Sequence, residues 1–370
     1  MEKHLVLVGG GHAHMVTLAN LHKFVERGHQ VSVIGPSPHH YYSGMGPGML
    51  GKTYRPEEIR FATQRVAEKQ GGRFILGTVT RVDPAEKTIY LESGQTVAYD
   101  VLSFNTGSYV PRVTVTDGGI DIFTVKPIEK LLAAQQRVLE LAAQRRIAIG
   151  VIGGGPAAVE ITGNIWRLTK DHGKYMPEIK IFSGEDLMLR FAEKIRQKAH
   201  RSLTKRAVEI LEGGFVKEIK SGRITLESGL SYGVDIIFLA TGVRPSPIFQ
   251  ESGLPAGPDG GLLVNRFLQS IQYPDIFGGG DCIYFQDQPL DKVGVYAVRQ
   301  NPILYHNLMA TLEEKELQPF NPGGDYLLIF NMGDNTGILH KKWLTLGGRP
   351  AFIIKDYIDR KFMKKFQSIE

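Results

Sequence analysis

The stretch that decides the fold is Leu5-Val6-Leu7-Val8-Gly9-Gly10-Gly11-His12-Ala13-His14. Its apolar residues predict a short buried strand, and its glycines permit a tight turn into a helix that we expect to run from about Ala13 to Arg27. The β-branched run at residues 31–34 predicts a second strand after Gly28. A strand, a tight turn, a helix and a second strand are together typical of a parallel βαβ unit.

The same arrangement occurs a second time between residues 147 and 182. A predicted strand at Ile147–Ile152 is followed by Gly153-Gly154-Gly155, a helix at Ala157–Thr169 and a strand at Ile179–Phe182. At 370 residues the chain is long enough for two or three domains. The fold class that we predict is α/β, with two Rossmann-like, three-layer ββα dinucleotide-binding domains and a small C-terminal α+β segment.

Short alternating runs follow each unit and predict a small antiparallel layer in each half. These runs are Thr78–Val82, Thr88–Leu91 and Val97–Tyr99 in the first half, and Phe215–Ile219, Arg223–Leu226 and Val234–Ala240 in the second. We expect a discontinuous first domain (1–112 and 251–325) and a second domain (113–250). A C-terminal hairpin and helix would complete the chain (326–370).

The first glycine loop has the pattern Gly9-x-Gly11-x-x-His14, directly after a strand and before a helix. Glycine lets the backbone approach a pyrophosphate, and the helix N-terminus supplies free N–H groups and a positive dipole. In this context the pattern predicts a dinucleotide site. Two positions depart from it. His14 replaces the usual third glycine or alanine, which implies looser or rearranged packing. No acid follows the second strand, so we expect Ser37 or the backbone to hold the ribose.

The second glycine loop, Gly153-x-Gly155-x-x-Ala158, matches the dinucleotide pattern at every position. Its ribose acid is also missing, because Ser183 follows the strand and Glu185 comes two residues late. Arg190 and Lys194 lie nearby in the sequence and would favour a 2′-phosphate. The alternative is that both loops are structural turns, and the presence of two copies argues against it.

Three further glycine turns follow apolar strands. They are Phe104-Asn105-Thr106-Gly107, Leu239-Ala240-Thr241-Gly242 and Phe277-Gly278-Gly279-Gly280-Asp281. A buried acid after a glycine turn suits hydrogen bonding to sugar hydroxyls. We therefore assign Thr106, Gly107, Gly280 and Asp281 to the first cofactor site, and we expect no metal site.

Together these motifs resemble the pyridine-nucleotide–disulfide oxidoreductase group of two-domain flavoproteins over nearly the whole chain. Residues 9–14, 42–45 and 292–300 look most like the type II NADH dehydrogenase-like branch. They are also similar to the flavoprotein module fused to selenide, water dikinase in some proteins. The resemblance implies that the first loop binds FAD and that the second binds NAD(P)H as co-substrate. It also implies that Asp281 holds the ribityl–phosphate region of the flavin.

Cys282 is the one cysteine of the chain, so no redox-active cysteine pair can form within it. We interpret it as a small apolar residue of a buried turn rather than a redox group. Since disulfide reductases and sulfide:quinone oxidoreductases of the group use cysteines beside the flavin, electrons would pass directly to a diffusible acceptor. We predict an FAD-dependent NAD(P)H oxidoreductase acting on a quinone or similar acceptor. The alternatives are sulfide- or selenium-linked chemistry with external thiols, and a non-catalytic flavin-binding sensor or docking module.

Three residues are candidates for the chemistry, and Pro47 is a further candidate for binding the cofactor. By resemblance, Glu160 would lie near the contact between nicotinamide and flavin. Lys292 and Gln300 would lie near the isoalloxazine, where a lysine would stabilise negative charge. Pro47, in a loop of small residues, would face the flavin edge. The alternative for Glu160 is a helix-surface carboxylate, and the alternative for Lys292 is a solvated loop lysine.

Residues 351–366 predict a basic amphipathic helix. Its apolar stripe consists of Ile353, Ile354, Tyr357, Ile358, Phe362, Met363 and Phe366, and its polar positions include Lys355, Arg360, Lys361, Lys364 and Lys365. Such a helix suits the surface of an anionic bilayer; the alternative is packing on the hairpin or on a second subunit. We expect a cytoplasmic protein that is peripheral on the inner face of the cell membrane if this helix binds lipid. A homodimer is left open, and no nucleic-acid partner is expected despite the net charge of +6.

Overall fold

The computed structural model describes residues 1–111 and 120–370, and its framework is a pair of five-stranded parallel sheets. The first sheet, in spatial order, consists of Ile276–Gly278, Val101–Phe104, His4–Val8, Gln30–Gly35 and Arg73–Leu76. The second consists of Asp121–Thr124, Ile236–Leu239, Ala148–Ile152, Glu178–Phe182 and Glu209–Leu211. The predicted α/β class with two Rossmann-like units is confirmed.

A three-stranded antiparallel layer accompanies each parallel sheet. The strands are Val79–Asp83, Thr88–Leu91 and Thr96–Ala98 in the first half, and Val216–Lys220, Arg223–Leu226 and Ser231–Gly233 in the second. One strand prediction was wrong. The run Val234–Ala240 does not join the antiparallel layer, because its centre, Ile236–Leu239, is a fully buried strand of the second parallel sheet. A continuous buried apolar run is what an inner parallel strand requires.

Ten α-helices occur in the described ranges. They are Met15–Ala19, Leu21–Val25, Gly46–Leu50, Thr63–Lys69, Lys130–Gln144, Pro156–His172, Glu193–Thr204, Ile248–Glu251, Gly294–Leu312 and Arg349–Gln367. The helix predicted from about Ala13 to Arg27 is divided at Asn20, whose side-chain amide donates to the carbonyl of Val16 at 2.8 Å. Within residues 1–111 and 120–370, none of the helices combines the length and the apolar character that crossing a bilayer demands.

Short pieces of regular structure complete the framework. Two-residue strands pair at Ser108–Tyr109 with Arg244–Pro245 and at His40–Tyr41 with Arg60–Phe61, and Leu262–Val264 pairs in parallel with Ile283–Phe285. Single turns of 3₁₀ helix lie at His12–His14, Ser43–Met45, Pro56–Ile59 and Gly280–Cys282. The first of these turns directly follows the first glycine loop, and the last contains Asp281. Both motifs assigned to the first cofactor site therefore end in a tight turn.

The C-terminal segment contains the predicted hairpin, extended by a third antiparallel strand, and the helix Arg349–Gln367 packs against this sheet. The strands are Leu328–Asn331, Gly337–Lys341 and Leu344–Gly348. The sheet lies directly on the helix Pro156–His172, since a Cβ at Gly163 would clash with the carbonyl of Met332 and one at Gly333 with the carbonyl of Gly163. This close contact brings the C-terminal segment beside the second glycine loop.

Buried apolar side chains form two cores, one in each half. The first core lies around the sheet that contains Leu5–Val8 and includes Phe277. The second lies around the sheet that contains Ile149–Ile152, and it extends to Met363 and Phe366 of the C-terminal helix. The C-terminal helix is therefore part of the folded core rather than an appendage.

Candidate functional site

The first glycine loop requires glycine for a backbone reason. Gly9 has a φ of +90°, and a Cβ there would clash with the carbonyl oxygen of Asn105. The buried Asn105 side chain accepts a hydrogen bond from the backbone N–H of Ala13 at 3.1 Å and donates one to the carbonyl of Gly279 at 2.6 Å. A Cβ at Gly11 would clash with the same side chain. Asn105 thus ties the first loop to the turn that carries Asp281.

His14 takes the place of the usual third glycine and is fully buried. Burial lowers the pKa of His14 to about 4, so the ring is neutral near pH 7. Its Nδ1 donates to the carbonyl of Gly9 at 2.6 Å, and its Nε2 accepts from the hydroxyl of Ser103 at 2.8 Å. The packing is therefore rearranged, as one branch of the sequence prediction expects. The imidazole links the helix start to the loop and to the neighbouring strand.

Asp281 lies in a charged pocket that sequence reasoning missed. Its Oδ2 accepts hydrogen bonds from Lys126 Nζ at 2.7 Å and from Ser108 Oγ at 2.8 Å. Burial alone would raise the pKa of Asp281, but Lys126 holds it below its ordinary value. The turn itself is supported by Gln300, whose side-chain oxygen accepts from the N–H of Gly280 at 2.6 Å. No motif surrounds Lys126 in the sequence, so nothing local could have identified it.

Unpartnered polar atoms surround the first loop. The described structure gives no hydrogen-bond partner to three buried atoms here: His12 Nε2, His40 Nε2 and Thr63 Oγ1. Burial lowers the pKa of His12 to about 3 and that of His40 to about 4, so both rings are neutral. Thr63 lies against the loop, since a Cβ at Gly10 would come within 2.9 Å of its Oγ1. Buried polar atoms without partners are what a polar ligand satisfies, so this loop fits a dinucleotide.

The remaining residues assigned to the first site lie near the loop ends. Ser37 follows the second strand, and its hydroxyl accepts from the N–H of His39 at 3.2 Å. Pro47 lies in the first turn of the helix Gly46–Leu50. Thr106 and Gly107 follow the strand beside the first loop, and Gly107 has a φ of +68°. Ser37, Thr106 and Gly107 lie at the carboxyl edge of the first sheet, where ligands of such sheets bind, whereas the helix that contains Pro47 packs on helices of the second half.

Lys292 is bound within the fold, and its place near the isoalloxazine stays a prediction. Its ammonium is 2.7 Å from the carboxylate of Asp259 and also donates to the carbonyl of Ile283. It is therefore neither a solvated loop lysine nor a free cation. Gln300 is buried and bonds the Gly280 turn, so its side-chain oxygen supports the loop.

The second glycine loop is more open than the first. Gly153 has a φ of +134°, and a Cβ there would clash with the carbonyl of Ala240. At Gly155, by contrast, an added Cβ would meet no atom within 4 Å. The helix Pro156–His172 begins at this point, and Ala158 is buried beneath it. The open space in front of a helix N-terminus fits a pyrophosphate.

A cavity lies at the end of the edge strand Glu209–Leu211, two strands away from the strand that leads into the second loop. It measures about 360 Å³ and is lined by Glu212, Phe215 and Tyr232, among others. Glu212 accepts a hydrogen bond from the N–H of Leu187 at 2.7 Å, which connects the cavity wall to the segment after the second strand. Phe215 and Tyr232 give the cavity two aromatic walls.

Glu160 lies one turn into the second-loop helix and contacts the C-terminal segment. Its Oε1 accepts from the N–H of Asn331 at 2.6 Å, and burial raises its pKa to about 7, although the charge of Lys355 opposes the shift. Lys355 is itself buried, 2.8 Å from Asp359, and Tyr42 donates to the other oxygen of that carboxylate at 3.0 Å. Glu160 is thus not a surface carboxylate. Lys355, predicted on the polar face of its helix, is an inward residue.

The C-terminal helix covers the first glycine loop. The ring of Phe362 stacks on His12 with centroids 5.5 Å apart and planes at 19°. The predicted single apolar stripe is divided, because Met363 and Phe366 are buried in the core whereas other members face solvent. The exposed members are Ile353, Ile354, Tyr357 and Ile358, and Trp343 of the adjoining strand turn is 85% exposed. One face of the helix therefore packs on the sheet, as one interpretation expects, and the binding of the exposed apolar face to lipid stays a prediction.

Two glycine loops at the carboxyl edges of two parallel sheets, one enclosed and one open, define a two-dinucleotide oxidoreductase. The chain belongs to the pyridine nucleotide-disulphide oxidoreductase family, whose model matches residues 3–308. FAD is the cofactor of this family and NAD(P)H the co-substrate, so both cofactor predictions are confirmed.

Curated relatives and solved structures agree with this assignment. A type II NADH:quinone oxidoreductase of Staphylococcus epidermidis is 24% identical over 403 residues, covering 100% of this chain and 97% of that protein. Ferroptosis suppressor protein 1 of Taeniopygia guttata is 28% identical over 284 residues, 72% of this chain and 71% of its own. The structure of NDH2 from Plasmodium falciparum in complex with NADH has a TM-score of 0.82 at 13% identity, covering 99% of this chain and 98% of that one. The predicted resemblance to the type II branch is confirmed.

Proposed function

We propose that the protein passes electrons from NAD(P)H through FAD to a quinone. The observation that carries this proposal is the group formed by Glu160, Lys355 and Asp359, between the second-loop helix and the C-terminal helix that covers the first loop. Reduction of a quinone to a quinol consumes two electrons and two protons. A carboxyl group whose pKa is about 7 can exchange a proton near neutral pH. Several of the relatives are quinone reductases by name, which supports the same acceptor.

The chain's own thiol is unsuited to carry electrons. Cys282 is fully buried, and its Sγ lies 3.3 Å from the carbonyl of Gly279 and 3.5 Å from that of Phe104. Burial raises the pKa of this thiol, which disfavours the reactive thiolate. Direct transfer to a diffusible acceptor is therefore favoured over the sulfide- or selenium-linked alternative.

The proposal gives each loop a separate task. Bound FAD would take a hydride from NAD(P)H and release the electrons to the acceptor. The residues that would hold FAD are Gly9, Gly11, Ser37, Pro47, Thr106, Gly107, Gly280 and Asp281, with His14 supporting the loop. The residues that would hold NAD(P)H are Gly153, Gly155 and Ala158, at the start of the second-loop helix.

The acceptor step is tested by rapid mixing. The holoprotein is reduced anaerobically and mixed in separate runs with a soluble quinone analogue, with a small disulfide and with dioxygen, and the return of flavin absorbance is recorded. We expect the quinone to restore the colour at least about tenfold faster than the other two oxidants, a difference of about 1.4 kcal/mol in barrier. Equal rates, or faster oxidation by the disulfide, would contradict the proposal.

The exposed apolar face supports a peripheral membrane location. Trp343, Ile353 and Tyr357 are 85%, 64% and 65% exposed, and they lie near Lys342 and Lys361 in the sequence. Aromatic and aliphatic side chains beside lysines suit the interface of an anionic bilayer, from which a quinone would be drawn. We propose that this face docks on lipid.

Vesicle sedimentation tests this docking without removing the helix, whose inner face belongs to the core. We expect the protein to sediment with anionic vesicles and the double variant Trp343→Ser/Tyr357→Ser to remain in the supernatant. Phe215→Ser, at an exposed aromatic residue outside the C-terminal segment, is the control and should sediment like the parent. Unchanged sedimentation of the double variant would remove the proposed membrane contact.

A further inference from the structure

Lys126 connects the two nucleotide-binding halves. It follows the strand Asp121–Thr124, which lies at one edge of the second sheet, whereas Asp281 follows Ile276–Gly278, which lies at one edge of the first. The 2.7 Å contact between Lys126 Nζ and Asp281 Oδ2 therefore crosses from one half to the other. The two side chains are 22% and 13% exposed, so the ion pair is largely withdrawn from water.

Lys126 is the cation that this carboxylate depends on. A buried carboxylate without a partner is costly, and it takes up a proton unless a nearby cation opposes this. Lys292 also acts on Asp281, but its ammonium is bound to Asp259 and acts from a greater distance. His12 also lies near Asp281, but burial lowers the pKa of His12 to about 3, so the ring is neutral and supplies no positive charge to the carboxylate. Ser108 donates a hydrogen bond without charge.

The geometry leaves part of the carboxylate open. Among the described residues, Lys126 and Ser108 both bond to Oδ2 of Asp281, so Oδ1 can accept a hydrogen bond from a ligand. The unpartnered Nε2 atom of His12 belongs to the first glycine loop, which Asn105 ties to the Asp281 turn. A polar ligand of the first loop would therefore meet a carboxylate whose orientation is set from the opposite half.

We propose that Lys126 is a positioning residue of the flavin site: it holds Asp281 as an oriented carboxylate that accepts a hydrogen bond from a ribityl hydroxyl of FAD. The inference rests on the placement of FAD at the first loop proposed above, and it is independent of the acceptor. Since Lys126 comes from the second half, the arrangement of the two halves also contributes to flavin retention.

The test measures release of FAD from the holoprotein. Flavin fluorescence is followed after dilution, at pH values from about 5 to about 8, a range in which a carboxyl group with a raised pKa would titrate. We expect Lys126→Gln to release FAD at least about tenfold faster than the parent, because breaking a buried ion pair leaves the other partner uncompensated. In this variant release should also accelerate as the pH falls, at a higher pH than in the parent, because Asp281 loses the cation that keeps it ionised.

Two further variants test whether the positive charge is needed at position 126 itself or only somewhere near the site. Lys126→Arg keeps the cation and is expected to restore both the rate and its pH profile to within about threefold of the parent. Lys130→Gln removes an equal charge at an exposed position four residues further along the chain and should behave like the parent. Equal release from Lys126→Gln and Lys130→Gln, or failure of Lys126→Arg to restore the parent profile, would overturn the proposal.

A double-mutant comparison protects the test against a general loss of fold. Asp281→Asn is expected to release FAD faster by itself, and adding Lys126→Gln to it should change the rate little further, because the two residues act as a unit. Additive effects of the two substitutions would contradict the proposal. The release of FAD involves no electron acceptor. The proposal of a quinone acceptor can therefore fail while the role of Lys126 holds, and the role of Lys126 can fail while the quinone proposal holds.

Discussion

The two glycine loops share one plan but differ in enclosure. In the first, His14 is buried beside the loop, Asn105 bonds across it and Phe362 of the C-terminal helix stacks on His12. In the second, the space in front of Gly155 is open, and the helix that follows runs unbroken from Pro156 to His172. An enclosed loop suits a cofactor that stays bound through many turnovers, and an open loop suits a co-substrate that exchanges in each one.

The difference originates in the residues that depart from the dinucleotide pattern. A glycine at position 14 would leave space, whereas the imidazole makes two hydrogen bonds, each contributing about 1 kcal/mol. The second loop has the buried Ala158 at the corresponding position, which packs without side-chain polar contacts. The departure from the motif at His14 therefore adds hydrogen bonds to the first loop and does not indicate a degenerate site.

The largest expected effect concerns Glu160 of the second-loop helix. It distinguishes a role in quinone reduction from the role of the loop in binding NAD(P)H. Glu160→Gln keeps the acceptor for the N–H of Asn331 but cannot exchange a proton. We expect quinone reduction to fall about 100-fold, which is typical of the loss of a general acid or base, while NAD(P)H still bleaches the flavin. Turnover and single-turnover bleaching are measured side by side, with the exposed Glu185→Gln as control. Equal loss in both assays would place Glu160 in the hydride step instead.

The same carboxyl group should make stability depend on pH. The pKa of Glu160 is raised from 4.5 to about 7 in the folded protein, so the folded state binds this proton more tightly than the unfolded chain. Its contribution is fully present below about pH 4.5 and is lost as the pH rises through about 7, an effect of about 2 kcal/mol after allowance for partial exposure. Denaturant unfolding at several pH values should show this fall in the parent and a smaller one in Glu160→Gln. If the free energy of unfolding depended on pH in the same way in both proteins, this prediction would be contradicted.

The enclosed loop should be weakened by restoring the usual glycine. We expect His14→Gly to lower the free energy of unfolding by about 1–2 kcal/mol, because Gly9 and Ser103 lose their partner. Release of FAD should become faster as well. Ala158→Gly at the matching position of the second loop is the control. It should cost about 1 kcal/mol through helix propensity and leave FAD release unchanged. Identical flavin release in both variants would break the comparison between the loops.

The smallest effect concerns the open loop. Gly155→Ala is expected to raise the KM for NAD(P)H about tenfold without lowering the melting temperature, since the added methyl meets no protein atom but enters the space of the pyrophosphate. Gly153→Ala, two residues earlier, should lose stability, because its Cβ would clash with the carbonyl of Ala240. If Gly155→Ala left KM unchanged, the open space would not be the nucleotide site.

Local pattern was sufficient for the fold and for both loops. Strand, glycine turn and helix follow one another within about 30 residues, so the unit and its dinucleotide loop can be predicted from the sequence alone. The boundary error at Val234–Ala240 arose because an apolar run suits either kind of sheet until its neighbours are known. The divided first helix was missed for a related reason: one side-chain bond from Asn20 interrupts a pattern that otherwise continues.

The parts of the site that sequence could not predict are contacts across long separations. Lys126 meets Asp281 across 155 residues, and Asn331 meets Glu160 across 171. Lys292 was assigned to the flavin by the resemblance of its segment, and its salt bridge to Asp259 could not be predicted from that segment. Lys355 was placed on a polar face because its own helix shows an amphipathic pattern. Its burial depends on Gly44 and Asp359, which bind its ammonium.

The division of labour between the loops is tested most directly by one anaerobic experiment. The holoprotein is mixed with one equivalent of NADH, or separately of NADPH, and passed at once through a desalting column. We predict that one of the two nucleotides bleaches the flavin, that FAD elutes with the protein, and that the oxidised nicotinamide elutes with the small molecules. A flavin that stays oxidised with both nucleotides, or that elutes with the small molecules, would contradict the assignment of FAD to the enclosed loop and NAD(P)H to the open one.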